Sequence, residues 1–144
     1  LRPHVRRGSR RLGGRALRLL LDTHALLWWW ADSPRLSNAA RHAMVDADCV
    51  VLVSVASAWE IAIKQRRGNL SGVPAEAAPF TRQVSASGFE LLAITLEHAM
   101  LAGYHPAEHR DPFDRLLAAQ AEIEGAVLLS CDAALDQFGV RRLW

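Results

Sequence analysis

An α/β protein with a parallel sheet covered by helices on both faces is the fold class this sequence predicts, and three observations predict it. Short continuous apolar runs, above all Cys49–Val53 and Ala126–Leu129, have the length and composition of strands buried on both faces. Helical patterns lie between these runs, so strand and helix alternate along the chain. The runs end in residues able to cap a following helix. That arrangement puts Asp22, at the end of Arg18-Leu19-Leu20-Leu21, at the edge of the sheet where open α/β proteins place their chemistry.

The elements follow in order. Residues 1–17 lack apolar periodicity, carry Gly8, Gly13 and Gly14, and are expected to be a disordered arm ahead of a single domain over residues 18–144. Residues 18–22 form the first strand and residues 23–31 a helix, closed by the turn signal Asp32-Ser33-Pro34. Ser37 caps a second helix to about residue 47. Residues 49–54 form a strand, and Ser54 caps a helix over residues 55–67 that stops at Gly68-Asn69. Val73-Pro74 opens a helix to about residue 86. Residues 89–94 form a strand, and Thr95 caps a helix to about residue 103. A loop follows to Arg110, and Asp111-Pro112-Phe113-Asp114 opens a helix to Glu124 that Gly125 ends. Residues 126–130 form a strand, residues 132–137 a short helix and residues 140–144 a last edge strand.

Bulk properties narrow the class. With 144 residues the chain suits one domain with one core. No apolar run approaches the roughly 18–20 residues that span a bilayer, and none has the pattern of a secretory signal. Two cysteines, Cys49 and Cys131, are too few for a disulfide framework and lack zinc-site spacing, so a reducing cytoplasm is the expected setting. The net charge of +2 hides an asymmetry, because the first 18 residues hold seven of the 17 Lys and Arg and none of the 15 Asp and Glu. The domain is therefore acidic and the arm basic. Such an arm can bind RNA or an acidic partner, or it can be a solvated leader.

Four acids stand out: Asp22, Glu60, Asp114 and Asp132. Each has a local reading. Asp22 and Asp132 can cap helices. Glu60 and Lys64 are spaced i, i+4 in the favourable orientation. Asp111, Pro112 and Asp114 fit N-cap, N1 and N3. The joint pattern goes further, since Asp22, Asp114 and Asp132 fall at strand C-termini or helix N-termini on one sheet edge, with Glu60 about two turns into its helix. Clustered carboxylates repel and require a cation. All-oxygen ligation favours Mg²⁺ or Mn²⁺, and such an ion can activate water and stabilise charge on a phosphodiester.

The segments Leu20-Leu21-Asp22-Thr23-His24, Ser54-Val55-Ala56-Ser57-Ala58-Trp59-Glu60-Ile61-Ala62-Ile63-Lys64, His109-Arg110-Asp111-Pro112-Phe113-Asp114-Arg115 and Ser130-Cys131-Asp132 resemble the PIN-domain family, and most closely its VapC-type toxins. The resemblance covers residues 18–144 and implies a three-layer α/β/α sandwich. It implies a Mg²⁺- or Mn²⁺-dependent endoribonuclease, the toxin of a toxin–antitoxin module, leaving 5′-phosphate and 3′-hydroxyl ends. Asp22, Glu60, Asp114 and Asp132 match the family's acidic quartet. Thr23, Ser54 and Ser130 match supporting polar positions, and Asp111 an extra acid. A cognate antitoxin and a homodimer are the partners it implies, beside the RNA substrate.

Other features have plainer readings. His105 and His109 could form a metal pair, but Pro106 and the loop setting argue against it. His24 reads as structural. Trp28, Trp29 and Trp30 cannot all face one core, so at least one is expected to be exposed or covered by a partner. Lys64 and Arg115 are expected to pair with Glu60 and Asp111 rather than with RNA phosphate. A haloacid-dehalogenase-type phosphatase would want a second Asp where His24 stands. A receiver domain would want a late lysine, and a dinucleotide-binding domain a Gly-rich turn after the first strand. A non-catalytic PIN-like binding module and a DNA nuclease are the alternatives to the ribonuclease.

Overall fold

The computed structural model describes residues 16–144, so the arm expected over residues 1–17 lies outside the described residues except at Ala16 and Leu17. The first strand, β1 (Leu17–Leu21), leads into helix α1 (Thr23–Trp30), helix α2 (Asn38–Val45) and strand β2 (Cys49–Ser54). Helices α3 (Val55–Arg66) and α4 (Ala77–Ala86) precede the short strand β3 (Glu90–Leu92). Helices α5 (Leu96–Tyr104) and α6 (Pro112–Glu124), strand β4 (Val127–Leu129), a 3₁₀ helix (Ala133–Phe138) and strand β5 (Arg142–Leu143) complete the chain.

All strand pairs are parallel, in the order β3-β2-β1-β4-β5. Side chains of β1 alternate between two cores because successive residues of a strand point to opposite faces. Leu19 and Leu21, with Val51, Val53 and Leu129, join Leu26, Met44, Ile61, Phe80 and Val84 from α1 to α4. Leu20, with Leu52 and Leu128, turns the other way onto Leu117, Ala118 and Ala121 of α6 and onto Leu135 and Phe138. Helix α5 packs beside α6. The result is the expected three-layer α/β/α sandwich, with β1 buried on both faces. Among the described residues no helix is long and apolar enough to cross a membrane.

Capping fixes most element boundaries where the sequence puts them. Ser37 Oγ accepts the Ala40 N–H at 3.0 Å, and Ser54 Oγ accepts the Ala56 N–H at 3.0 Å. Gly125 ends α6 with φ of +61°, the left-handed region that glycine enters without steric cost.

Three expectations need correction. Helix α4 begins at Ala77 and not at Val73, because the carbonyls of Val73 and Pro74 accept from the Gln65 side chain, at 2.7 and 3.4 Å, instead of from a helical turn. Strand β3 spans three residues, not six: the Phe89 N–H turns back to Val84 O, and Ala93 O accepts from Gln120. None of the three tryptophans is exposed. Each is half-buried against another aromatic of this chain: Trp28 on Trp144, Trp29 on Phe89 and Trp30 on Phe80, at centroid distances of 5.6, 5.7 and 5.5 Å. The apolar cluster wraps around the C-terminal half of α1, so neighbouring helical positions all find cover.

Replacing Gly125 with Ala meets no steric neighbour but forces a Cβ into the left-handed conformation. Gly125→Ala should lower stability by about 1 kcal/mol, read from the urea midpoint. An unchanged midpoint would show that α6 ends without this constraint.

Candidate functional site

The chain order sets the location. Strand β1 is first in sequence and central in the sheet, and the connections run to β2 on one side and, later, to β4 on the other. The crevice at the C-terminal ends of β1 and β4 is the switch point at which open parallel sheets bind ligands. Asp22 follows β1, Ser130 and Asp132 follow β4, and α3 with Glu60 follows β2.

Asp22 is the most confined of the acids, with 7% of its surface exposed. It caps α1, and its Oδ1 accepts the Ala25 N–H at 2.7 Å. Burial raises its pKa above the ordinary 3.8; Glu60 adds to the rise, while the Ser130 hydroxyl, the Ala25 N–H and His24 pull the other way. Among the described residues no Lys or Arg forms an ion pair with it. Asp132 caps the 3₁₀ helix through the Ala134 N–H at 2.9 Å, and its own N–H donates to Ser130 Oγ at 3.1 Å. Ser130 is fully buried and therefore borders both acids.

Asp114 lies in the first turn of α6. Its Oδ2 accepts from His109 Nε2 at 2.8 Å. Burial raises its pKa, and the charges of Asp111 and Asp132 raise it further against the His109 hydrogen bond. Asp111 caps α6 through Oδ1, which accepts the N–H groups of Phe113 and Asp114 at 2.9 and 3.3 Å. Glu60 pairs with Lys64, Oε2 to Nζ at 3.7 Å, as the i, i+4 spacing anticipates.

The acids influence one another as two pairs, the charge of Glu60 acting on Asp22 and that of Asp132 on Asp114. Among the described residues no three Asp, Glu, His or Cys side chains are disposed as a metal cage. In chemistry the set does fit a hard divalent ion: every donor is a carboxylate oxygen, and Asp22 is a buried acid that no Lys or Arg among the described residues pairs with. Each carboxylate commits one oxygen to a local partner.

The supporting residues divide. Ser130 reaches the acids. Ser54 instead donates to Gln120 Oε1 at 2.5 Å, and Thr23 Oγ1 donates to Ser57 Oγ at 3.1 Å. Both hydroxyls hold the helices around the acids rather than the acids themselves. Arg115 does not pair with Asp111; its donors all go to backbone carbonyls. His24 is exposed and lies 5.6 Å from the Trp28 ring, away from Asp22's hydrogen bonds. The sequence reading missed His109 as a partner of Asp114 and Gln120 as a partner of Ser54. The signal for Gln120 was present, as a polar residue inside the buried stripe Leu117-Ala118-Ala119-Gln120-Ala121.

The model of the PIN domain family matches residues 19–140. The chain belongs to the PIN domain family. Solved structures share its fold. The VapBC2 structure from Rickettsia felis, bound to a DNA fragment from its promoter, contains a chain that matches with a TM-score of 0.64 and 12% identity, over 88% of this chain and 98% of that one. VapBC-1 from nontypeable Haemophilus influenzae matches with a TM-score of 0.57 and 14% identity over 88% and 97%. PAE2754 from Pyrobaculum aerophilum matches with a TM-score of 0.54 and 20% identity over 88% and 84%. Comparison with curated proteins gives no match. The PIN fold explains why Asp22, Asp114 and Asp132 share one edge although 110 residues separate the first from the last.

The raised pKa of Asp22 has a sign. A carboxyl that holds its proton more tightly folded than unfolded costs stability above its folded pKa, and the cost fades as pH falls towards 3.8. Asparagine can keep the cap to Ala25 without the charge. Without divalent metal, Asp22→Asn should therefore melt above the wild type at neutral pH, the gain shrinking on acidification in scanning calorimetry. A lower melting temperature at neutral pH would show that the buried charge is not a burden.

Proposed function

We propose that this PIN-domain protein is a metal-dependent endoribonuclease acting as the toxin of a toxin–antitoxin module. One observation supports the reading: Asp22, at the sheet's switch point, is buried beside the charge of Glu60, and among the described residues no Lys or Arg forms an ion pair with it. Family membership supports it, as does the likeness of fold to chains from VapBC structures.

Asp22, Glu60, Asp114 and Asp132 would hold Mg²⁺, or Mn²⁺, through their oxygens. The ion, when bound, supplies Lewis acidity and an activated water for phosphodiester hydrolysis. The protein's own residues set the stage. Ser130 orients Asp22 and Asp132, and Asp111 fixes the first turn of α6 so that Asp114 faces the crevice. Thr23 and Ser54 hold α1 and α3 in place. The partners are an RNA substrate, a cognate antitoxin that covers the acidic edge and a second copy of the chain, in a bacterial cytoplasm.

A second reading has its own observation. Every acid of the quartet makes a local bond, as a helix cap, an ion pair or a hydrogen bond to His109, and no three form a cage. A non-catalytic PIN-like binding module would look the same. Incubation with mixed cellular RNA and with DNA, with Mg²⁺, Mn²⁺ or chelator, separates the readings. The nuclease should cut RNA only with metal and leave 5′-phosphate ends. Asp22→Asn should lose more than about 100-fold in rate, since even outer partners of metal ligands are worth 10–100-fold. Absence of metal-dependent cutting, together with no Mg²⁺- or Mn²⁺-induced thermal shift, would favour the binding module. Cutting of DNA instead would transfer the activity to the other polymer.

A further inference from the structure

We propose that Arg115 is a positioning residue for the acidic site, acting through the loop of residues 105–110 and His109 on Asp114. The assignment rests on the metal-site reading above.

A guanidinium has five N–H donors in a rigid planar fork. All the acceptors of Arg115 are backbone carbonyls. Nε donates to Ala102 O at 2.8 Å, Nη1 to Ala107 O and His109 O at 2.8 Å each, and Nη2 to His105 O at 2.6 Å and Gly103 O at 3.5 Å. Ala102 and Gly103 lie in the last turn of α5, where helix carbonyls lack intrahelical partners and the dipole favours a cation. His105, Ala107 and His109 alternate along the loop that follows. One side chain therefore closes a helix and gathers a loop, and that side chain is covalently next to Asp114.

The loop is held from its other side by Phe138. The rings of His105 and His109 lie 5.0 and 5.6 Å from the Phe138 ring, edge-on. Phe138 belongs to the 3₁₀ helix that Asp132 caps. His105 Nδ1 also accepts the Ala107 N–H at 3.1 Å, which tightens the turn. His109 is thus fixed by its carbonyl on Arg115 and by its ring on Phe138. In that position its Nε2 donates to Asp114 Oδ2 at 2.8 Å, leaving Asp114 Oδ1 for another partner. The loop ties the helix that carries Asp114 to the helix that Asp132 caps, so its order sets how the two acids face each other. Hydrogen bonds of this kind fix the orientation of metal-ligating carboxylates and are typically worth 10–100-fold in affinity.

Lysine keeps the charge of Arg115 but offers three donors from a point, so it cannot satisfy carbonyls spread over residues 102–109. The test is calorimetric titration of Mn²⁺ into the full chain, with amide hydrogen exchange over residues 104–110. Arg115→Lys and His109→Ala should each weaken Mn²⁺ binding about 10–100-fold. His109→Gln, whose amide can still donate to Asp114, should recover most of it. Arg115→Lys should speed exchange across the loop. The double variant, Arg115→Lys with His109→Ala, should bind no worse than the weaker single one, because both remove the same support. Additive losses, or an Arg115→Lys chain that binds Mn²⁺ as the wild type does, would overturn the assignment and leave the metal site standing. A wild type that binds no Mn²⁺ would overturn the metal-site reading and this assignment with it. If Arg115→Lys fails to fold, His109→Ala and His109→Gln carry the comparison: equal affinity in both would overturn the role of the hydrogen bond.

Discussion

The burial of β1 is the constraint on which the rest of the molecule depends. Leu19, Leu20 and Leu21 are essentially inaccessible, each face of the strand feeding a different core, and β2 and β4 pair with it on either side. A strand held in four directions cannot shift its register or let its end swing into solvent. The residue that follows it is Asp22. Its backbone N–H is bonded to Leu129 O at 3.1 Å, which extends the β1–β4 pairing by one residue and fixes the carboxylate against the crevice. The hydrophobic effect that forms the sheet is thus the force that desolvates a charge at its edge. Stability gained in the strand is partly spent at its end.

That coupling explains which parts of the structure were legible in the sequence. Strand β2 is written as Cys-Val-Val-Leu-Val-Ser, and both its type and its two-faced burial follow from that run. Boundaries set by local chemistry were legible as well: Ser37, Ser54, Thr95 and Asp111 cap helices as read, and Gly125 ends one. Boundaries set by distant side chains were not. Gln65 takes the carbonyls that a longer α4 would use, and Gln120 takes the carbonyl that a longer β3 would use. Nothing near Val73 or Ala93 in the sequence announces either bond.

The candidate site divides along the same line. The positions of Asp22, Asp114 and Asp132 could be read because each follows an apolar run or opens a helix, and alternation of strand and helix puts such positions on one edge; Glu60, mid-way along α3, has no such signal. The way they are held could not. Arg115 was expected to answer a neighbouring charge, and it answers five carbonyls instead. Sequence proximity of Asp111 and Arg115 suggested a pair, but the Asp111 carboxylate is committed to the N–H groups at the start of α6. Arg115 meanwhile faces a loop whose carbonyls need donors. A backbone that leaves regular structure creates such acceptors, and no local pattern records where they will be.

The capping and metal-binding readings of the acids are not exclusive, because of how carboxylates are built. A carboxylate has two oxygens and about four acceptor sites, and a cap uses one of them. Asp22 and Asp132 each accept a helix N–H through Oδ1, and Asp114 accepts His109 through Oδ2. The cap fixes the side-chain torsion and so points the other oxygen in a defined direction. A free carboxylate would have to lose that torsional freedom on binding an ion; a capped one has already lost it. Helix N-termini also stabilise negative charge, which offsets some of the mutual repulsion of Asp22 with Glu60 and of Asp114 with Asp132 before any cation arrives. Local bonds that look like an alternative to a metal site are thus compatible with one, and they let paired acids stand close together in a folded chain.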